Sequence, residues 1–183
     1  MISKLRMQYL IELTKKIKQI DIKSYTEFSE ALKIKIKQKK TIFSCGNGGS
    51  ASIANHFVCD FNKRIKIDIP RFISLVNNIE IITAISNDIS YENIFDAQLN
   101  NLFQKENSII CISSSGMSKN IINAANYVKN HHGTVFSLTG FNGGDLREIS
   151  DFNIHIDSTV YGIVEDCHQI IMHSLVNDFL NEV

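Results

Sequence analysis

The chain has 183 residues, and its 19 lysines and arginines balance its 19 aspartates and glutamates. This length suffices for one α/β domain with a sizeable core. Zero net charge without a basic stripe argues against a nucleic-acid partner, and no stretch approaches the ~20 apolar residues of a membrane span. An N-terminus without an apolar signal run and four scattered cysteines predict a cytoplasmic protein with reduced thiols.

The first forty residues predict two helices. Leu5, Tyr9, Leu13 and Ile17 recur at helical spacing, which is typical of an amphipathic helix, and a second helix is expected over 24–37. The apolar face of the first helix is long, so we expect residues 1–40 to pack against other subunits as well as their own. A helix that simply covers the domain is the alternative.

From residue 41 onwards, short apolar runs alternate with helical patterns. Strands are expected over 41–45, 72–76, 108–112, 134–138 and 152–156. Helices are expected over 50–62, 79–86, 91–103, 119–131, 145–149 and 161–181. This alternation predicts a five-stranded parallel sheet flanked by helices. No linker interrupts it, so residues 1–183 are expected to form a single domain.

Two turns at predicted strand ends have the composition of anion sites. Residues 44–50 read SCGNGGS, in which glycines allow close backbone approach and the following helix start offers free N–H groups. Residues 112–118 read ISSSGMS, in which hydroxyls and N–H groups can surround a phosphate. A third turn, 140–144, follows the next strand. Each turn alone fits an ordinary connection, whereas two in one sheet favour a phosphorylated ligand.

Acids and histidines lie on the helices that flank these turns. His56 and Asp60 stand at i and i+4 and therefore share one helix face. The last helix carries Glu165, and also Asp166, His168 and His173 within about two turns. Such groups beside a phosphate site are candidates for proton transfer. A surface pair and buried core histidines are the alternative interpretation for each residue taken singly.

The segments CGNGGS at 45–50, ISSSGMS at 112–118 and LTGFNGG at 138–144 resemble the sugar isomerase (SIS) domain family, and especially its phosphoheptose isomerases. The resemblance extends over nearly the whole chain. It implies a flavodoxin-like, three-layer α/β sandwich with additional N-terminal helices. It also implies a homotetramer with active sites between subunits.

The resemblance also implies roles for particular residues. Asp60 and His173 would be catalytic. Zn²⁺, bound in some members, would be held by His56, Asp60, Glu165 and His173. The substrate would be bound by Asn47, Gly48, Gly49, Ser50, Arg64, Asn87, Asp88, Ser113, Ser114, Ser115, Ser118 and Glu165. For Arg64, a plain surface cation is the alternative.

Two positions depart from the family pattern. Asp60 stands where the family has a catalytic glutamate, and a base set back by roughly an ångström can cost on the order of 10²-fold in rate. Glu165 replaces a family glutamine, which leaves two imidazoles and two carboxylates, a set that suits zinc. The two changes either compensate for each other or mark an altered substrate preference or lost activity.

The activity implied is aldose–ketose isomerisation of sedoheptulose 7-phosphate to D-glycero-D-manno-heptose 7-phosphate through an enediol, in heptose biosynthesis for lipopolysaccharide or capsule. Two alternatives stay open. One is a non-catalytic SIS protein that binds a phosphosugar or a replication-initiation partner. The other is an isomerase of a different sugar phosphate, because the loops recognise phosphate rather than chain length.

Overall fold

The computed structural model describes residues 2–64 and 72–181, with eight α-helices and five strands in those ranges. The helices are α1 (Ile2–Lys18), α2 (Ile22–Lys37), α3 (Gly49–Arg64), α4 (Ile79–Asp88), α5 (Asp96–Leu102), α6 (Lys119–Asn130), α7 (Gly144–Ile149) and α8 (Tyr161–Asn181). The strands are β1 (Ile42–Gly46), β2 (Phe72–Ser74), β3 (Ser108–Ser113), β4 (Thr134–Thr139) and β5 (Phe152–His155). No helix in these ranges is long and apolar enough to cross a membrane.

The strands form one parallel sheet in the order β2-β1-β3-β4-β5. The strands are buried on both faces, which explains why they read as continuous apolar runs instead of alternating patterns. The five-stranded parallel sheet expected from the sequence is therefore confirmed, and each observed strand overlaps its predicted range.

Two apolar cores lie on opposite faces of the sheet, which gives three layers. One core contains Phe28 of α2, Phe57 of α3 and Ile171 of α8. The other contains Leu99 of α5 and Ile121 of α6. The connections after β1 and β5 lead to α3 and α8, which pack on the first core, whereas those after β3 and β4 lead to α6 and α7, which pack on the second.

One predicted helix, 91–103, is wrong as a single element. A 3₁₀ turn, Tyr91–Asn93, precedes the shorter α5. Ser90 donates to Asn93 at 2.8 Å, and Asn93 donates to Asp96 at 2.9 Å. Such short polar side chains compete with helical backbone bonds, so the chain turns before α5 begins.

The N-terminal helix is apolar on two sides. Leu13 and Ile17 pack against the first core, and the Tyr9 hydroxyl donates to Asp166 of α8 at 2.7 Å. The opposite side exposes Leu10 and Ile11, whose exposed fractions are 53% and 63%. The helix therefore covers its own domain with one face and leaves the other uncovered.

Candidate active site

The sheet has a topological switch point between β1 and β3. The chain leaves β1 towards α3 on one face and leaves β3 towards α6 on the other face. Open parallel sheets bind ligands in the crevice that forms where two neighbouring connections diverge in this way. Both small-residue loops predicted to bind phosphate flank this crevice.

The first loop is held by a pair of amides. Asn47 and Asn120 donate to each other at 2.9 Å in both directions, and the Tyr91 hydroxyl donates to the Asn47 oxygen at 3.0 Å. Gly48 adopts φ +53° with open space beyond its Cα, and Ser50 is buried at the start of α3. Sequence reasoning missed Asn120 and Tyr91, because neither belongs to a recognisable motif.

The serine loop, residues 113–118, contains hydroxyl groups that bond within the loop and hydroxyl groups that do not. Those of Ser113 and Ser115 accept backbone N–H groups within the loop, both at 3.2 Å. The Ser114 hydroxyl is buried and has no hydrogen-bond partner among the described residues, and Ser118 stands at the N-cap of α6 without a side-chain capping bond. The hydroxyls of Ser114 and Ser118 are therefore those that a bound phosphate can recruit.

The third turn, residues 140–144, packs against the serine loop. Gly140 donates its N–H to the Ser114 carbonyl at 2.9 Å. Gly116 has φ +68°, and a methyl group built on it would overlap the carbonyl oxygen of Gly143. The predicted turns at 113–118 and 140–144 therefore form one packed unit.

Two histidines and an aspartate meet between α3 and α8. Asp60 Oδ2 lies 3.6 Å from His56 Nε2 and 3.7 Å from His173 Nε2, and the two imidazole rings stand edge to face at 4.9 Å. Asp60 is 5% exposed, and its other oxygen lies 3.4 Å from Lys63 Nζ. These groups line an open cleft of about 520 Å³. Three of the four residues that the resemblance assigns to one zinc site therefore meet within one chain.

Gln169 joins the two imidazoles. Its Nε2 lies 3.3 Å from His56 Nδ1 and 3.0 Å from His173 Nε2. An amide NH₂ group has two N–H groups, so this one nitrogen can contact both rings. Gln169 lies one turn before His173 on α8. Its contact with His56 depends on the packing of α8 against α3, which the sequence alone does not show.

The cluster has the donor set of a metal site. One ligand atom each from His56, Asp60 and His173 lies within 4.8 Å of the others. Two imidazoles and a carboxylate suit a borderline metal ion. Glu165, the fourth predicted ligand, is not in this group. Its carboxylate lies against Gly49 instead, where an added methyl group would come within 2.6 Å of Oε2.

The other predicted substrate ligands lie away from these contacts. Asn87 and Asp88 stand exposed at the end of α4, and Asn87 donates to Asp88 at 2.8 Å. Neither bonds to the two loops in the part of the chain that the structure describes. Arg64 ends α3, and its side chain lies outside the described residues.

Two polar residues of α8, Asp166 and His168, bond to other parts of the domain and not to the groups of the cleft. Asp166 accepts from Tyr9, and His168 is fully buried, with Nε2 3.2 Å from the Thr139 carbonyl. Burial, together with the nearby His155, lowers the pKa of His168 to about 4. His168 is therefore a neutral core histidine, as the alternative interpretation held.

This burial makes the stability of the fold depend on pH. The folded pKa of His168 is about 4 and its ordinary value is 6.5, so below pH 6.5 the unfolded chain binds the proton more readily. We expect stability to fall by up to about 3 kcal/mol between pH 6.5 and 4. Urea unfolding of wild type and His168→Gln at pH 7 and 4.5 tests this, since the variant should lose less stability. An equal loss in both proteins would contradict the assignment.

The sheet, the loops at its switch point and the cleft define the class of protein. It is a three-layer α/β domain of the kind that binds a phosphorylated ligand at the carboxyl ends of parallel strands. A family model described as SIS domain matches residues 7–140. The chain belongs to the SIS domain family, in its phosphoheptose isomerase group, as the sequence motifs predicted.

The relatives cover most of the chain. A phosphoheptose isomerase of Aliarcobacter butzleri is 34% identical over 151 residues, which are 81% of this chain and 79% of that protein. One of Shewanella denitrificans is 37% identical over 144 residues, 76% and 74% of the two chains. The solved phosphoheptose isomerase GmhA of Neisseria gonorrhoeae has a TM-score of 0.90 at 23% identity, with 100% and 97% covered. At that identity the structural match establishes the fold alone.

Proposed function

We propose that the chain isomerises sedoheptulose 7-phosphate to D-glycero-D-manno-heptose 7-phosphate. The observation that carries this is the combination of two phosphate-type loops at the switch point with a His–Asp–His cleft on helices that begin beside them. The related proteins named phosphoheptose isomerase support the substrate. Heptose biosynthesis and a cytoplasmic location are predictions that extend this proposal.

The reaction needs an anchor, a base and a proton carrier. The serine loop holds the phosphate far from the reacting carbons, and this remote binding positions C1 and C2. His173, half exposed in the cleft, moves the hydroxyl protons of the enediol. Sequence motifs assign the proton-abstracting carboxylate to Asp60.

Zinc fits the residues of the cleft. His56, Asp60 and His173 would hold the ion, since their ligand atoms already lie within 4.8 Å of one another. A bound zinc ion polarises carbonyl and enediolate oxygens. Glu165 would need a different side-chain conformation to join this set, because its carboxylate lies beside Gly49.

Assembly into a homotetramer with sites between subunits extends the proposal. Helix α4 has no buried residue, and it exposes the apolar side chains of Ile79 and Ile81. The uncovered side of α1 exposes Met7, Leu10 and Ile11. Apolar faces of this kind suit contact with further copies of the same chain.

The double variant Leu10→Glu with Ile11→Glu should lower the oligomeric state, because it places two charges on the uncovered face of α1. Sedimentation velocity measures the change, and circular dichroism checks that helix content is kept. Gln104→Glu, an exposed substitution after α5, is the matched control and should sediment like wild type. A double variant that sediments like wild type would exclude α1 from the interface.

Incubation with sedoheptulose 7-phosphate, with and without added zinc, tests the activity. Appearance of the aldoheptose phosphate, followed by NMR, is the expected result. Binding without conversion under either condition would instead favour a non-catalytic phosphosugar-binding protein. Conversion of another sugar phosphate, with none of the heptulose, would favour the second alternative.

A further inference from the structure

Two carboxylates lie along the groove between α3 and α8, and their surroundings differ. Asp60 is buried near the end of α3, with Oδ2 facing both imidazoles and Oδ1 facing Lys63. Both of its oxygens are therefore directed at nitrogen atoms of its own chain. Such a carboxylate is arranged to orient its neighbours.

Glu165 is arranged differently. It lies partly exposed in the first turn of α8. It makes no hydrogen bond or ion pair with any residue in the ranges 2–64 and 72–181. A methyl group on Gly49 would come within 2.6 Å of Oε2 and 2.7 Å of Oε1, so both oxygens lie over the start of α3. A carboxylate with free oxygens therefore borders the crevice.

Glu165 also lies nearer to the first loop than Asp60 does, because its carboxylate is beside Gly49. Ser118 begins α6 on one face of the sheet, and Gly49 begins α3 on the other. A ligand whose phosphate lies on the serine loop crosses the crevice towards Gly49 and Glu165. Asp60 lies ten residues beyond Ser50 along α3, which is about 15 Å of helix.

We propose that Glu165, rather than Asp60, is the base that removes the carbon-bound proton, an inference that rests on the proposed isomerase function. A C1 proton passes to a Glu165 oxygen, and the electrons of the broken C–H bond form the C1–C2 double bond. The carbonyl electron pair moves to O2, which takes a proton from His173, so that an enediol forms. Glu165 then returns its proton to C2 while O1 passes its own proton back to His173, which leaves the aldehyde. Asp60 positions the two imidazoles.

Isomerisation in D₂O tests this assignment through Glu165→Gln, which keeps the shape of the side chain and removes the base. We expect kcat and deuterium incorporation at C1 or C2 to fall by roughly 10²–10⁴-fold, with KM within about threefold. Thermal shift with the substrate checks that binding is kept. Asp60→Asn should lower kcat but retain carbon–hydrogen exchange. Glu27→Gln, a surface acid on α2, is the charge-matched control.

The outcomes separate the two proposals. Wild-type exchange in Glu165→Gln overturns the base assignment, and so does exchange that is lost in Asp60→Asn but kept in Glu165→Gln. If the wild-type protein neither exchanges nor converts the substrate, the isomerase function fails and the base assignment fails with it. A wild-type protein that turns over while Glu165→Gln binds without exchange supports both.

Discussion

His173→Ala is expected to lower kcat for isomerisation by roughly 10²–10⁴-fold, the usual contribution of a positioned acid–base group. The imidazole lies 3.7 Å from Asp60 and 3.0 Å from Gln169 in an open cleft. Its side chain is 50% exposed, so its removal should leave the core intact. Steady-state kinetics on the sugar phosphate, together with the urea unfolding midpoint, measures both effects.

A second histidine serves as the control. His131 caps the end of α6 and stacks on Tyr127 at 4.0 Å, apart from the cleft. His131→Ala should keep full activity. Wild-type turnover in His173→Ala, with the fold intact, would remove the His–Asp–His cleft from the reaction.

Gly116→Ala should cost about 2–5 kcal/mol of stability and abolish phosphate binding. The φ of +68° disfavours an L side chain, and the new methyl group would overlap the Gly143 carbonyl. The loop can relieve this overlap only by moving away from the third turn, which displaces the Ser114 and Ser118 hydroxyls. Urea unfolding and calorimetric titration with the sugar phosphate measure the two losses.

Gly48→Ala separates backbone strain from overlap. Gly48 also has a positive φ, +53°, but nothing lies within 4 Å of an added methyl group. Strain alone should cost about 1–2 kcal/mol. Equal destabilisation by the two substitutions would show that contact between the serine loop and the third turn is unimportant.

The sheet could be predicted because its strands are buried on both faces and are separated by helical patterns. The broken helix at 91–103 could not, because side-chain bonds among Ser90, Asn93 and Asp96 interrupt a regular apolar pattern. Local composition records propensity, whereas these bonds depend on the exact turn that the chain adopts.

The pairing of His56 with Asp60 followed from helical spacing, but the partners on other elements did not. Gln169, Lys63 and Asn120 carry no motif, and each acquires its role from a neighbour supplied by the packing. His168 and His173 are five positions apart, so they face in directions about 140° apart around the helix. Which of the two histidines faces the core depends on which side of α8 packs against β4, and the sequence does not show this.

The packing of α8 against α3 also determines when during synthesis the cleft can form. Gln169 bonds to His56 across 113 positions of sequence, and α8 is the last helix of the fold. A nascent chain that has reached residue 160 carries both small-residue loops but lacks the second histidine and the bridging amide. Assembly of the reactive groups therefore waits until α8 has been synthesised and has docked on α3, a slow long-range closure compared with helix formation.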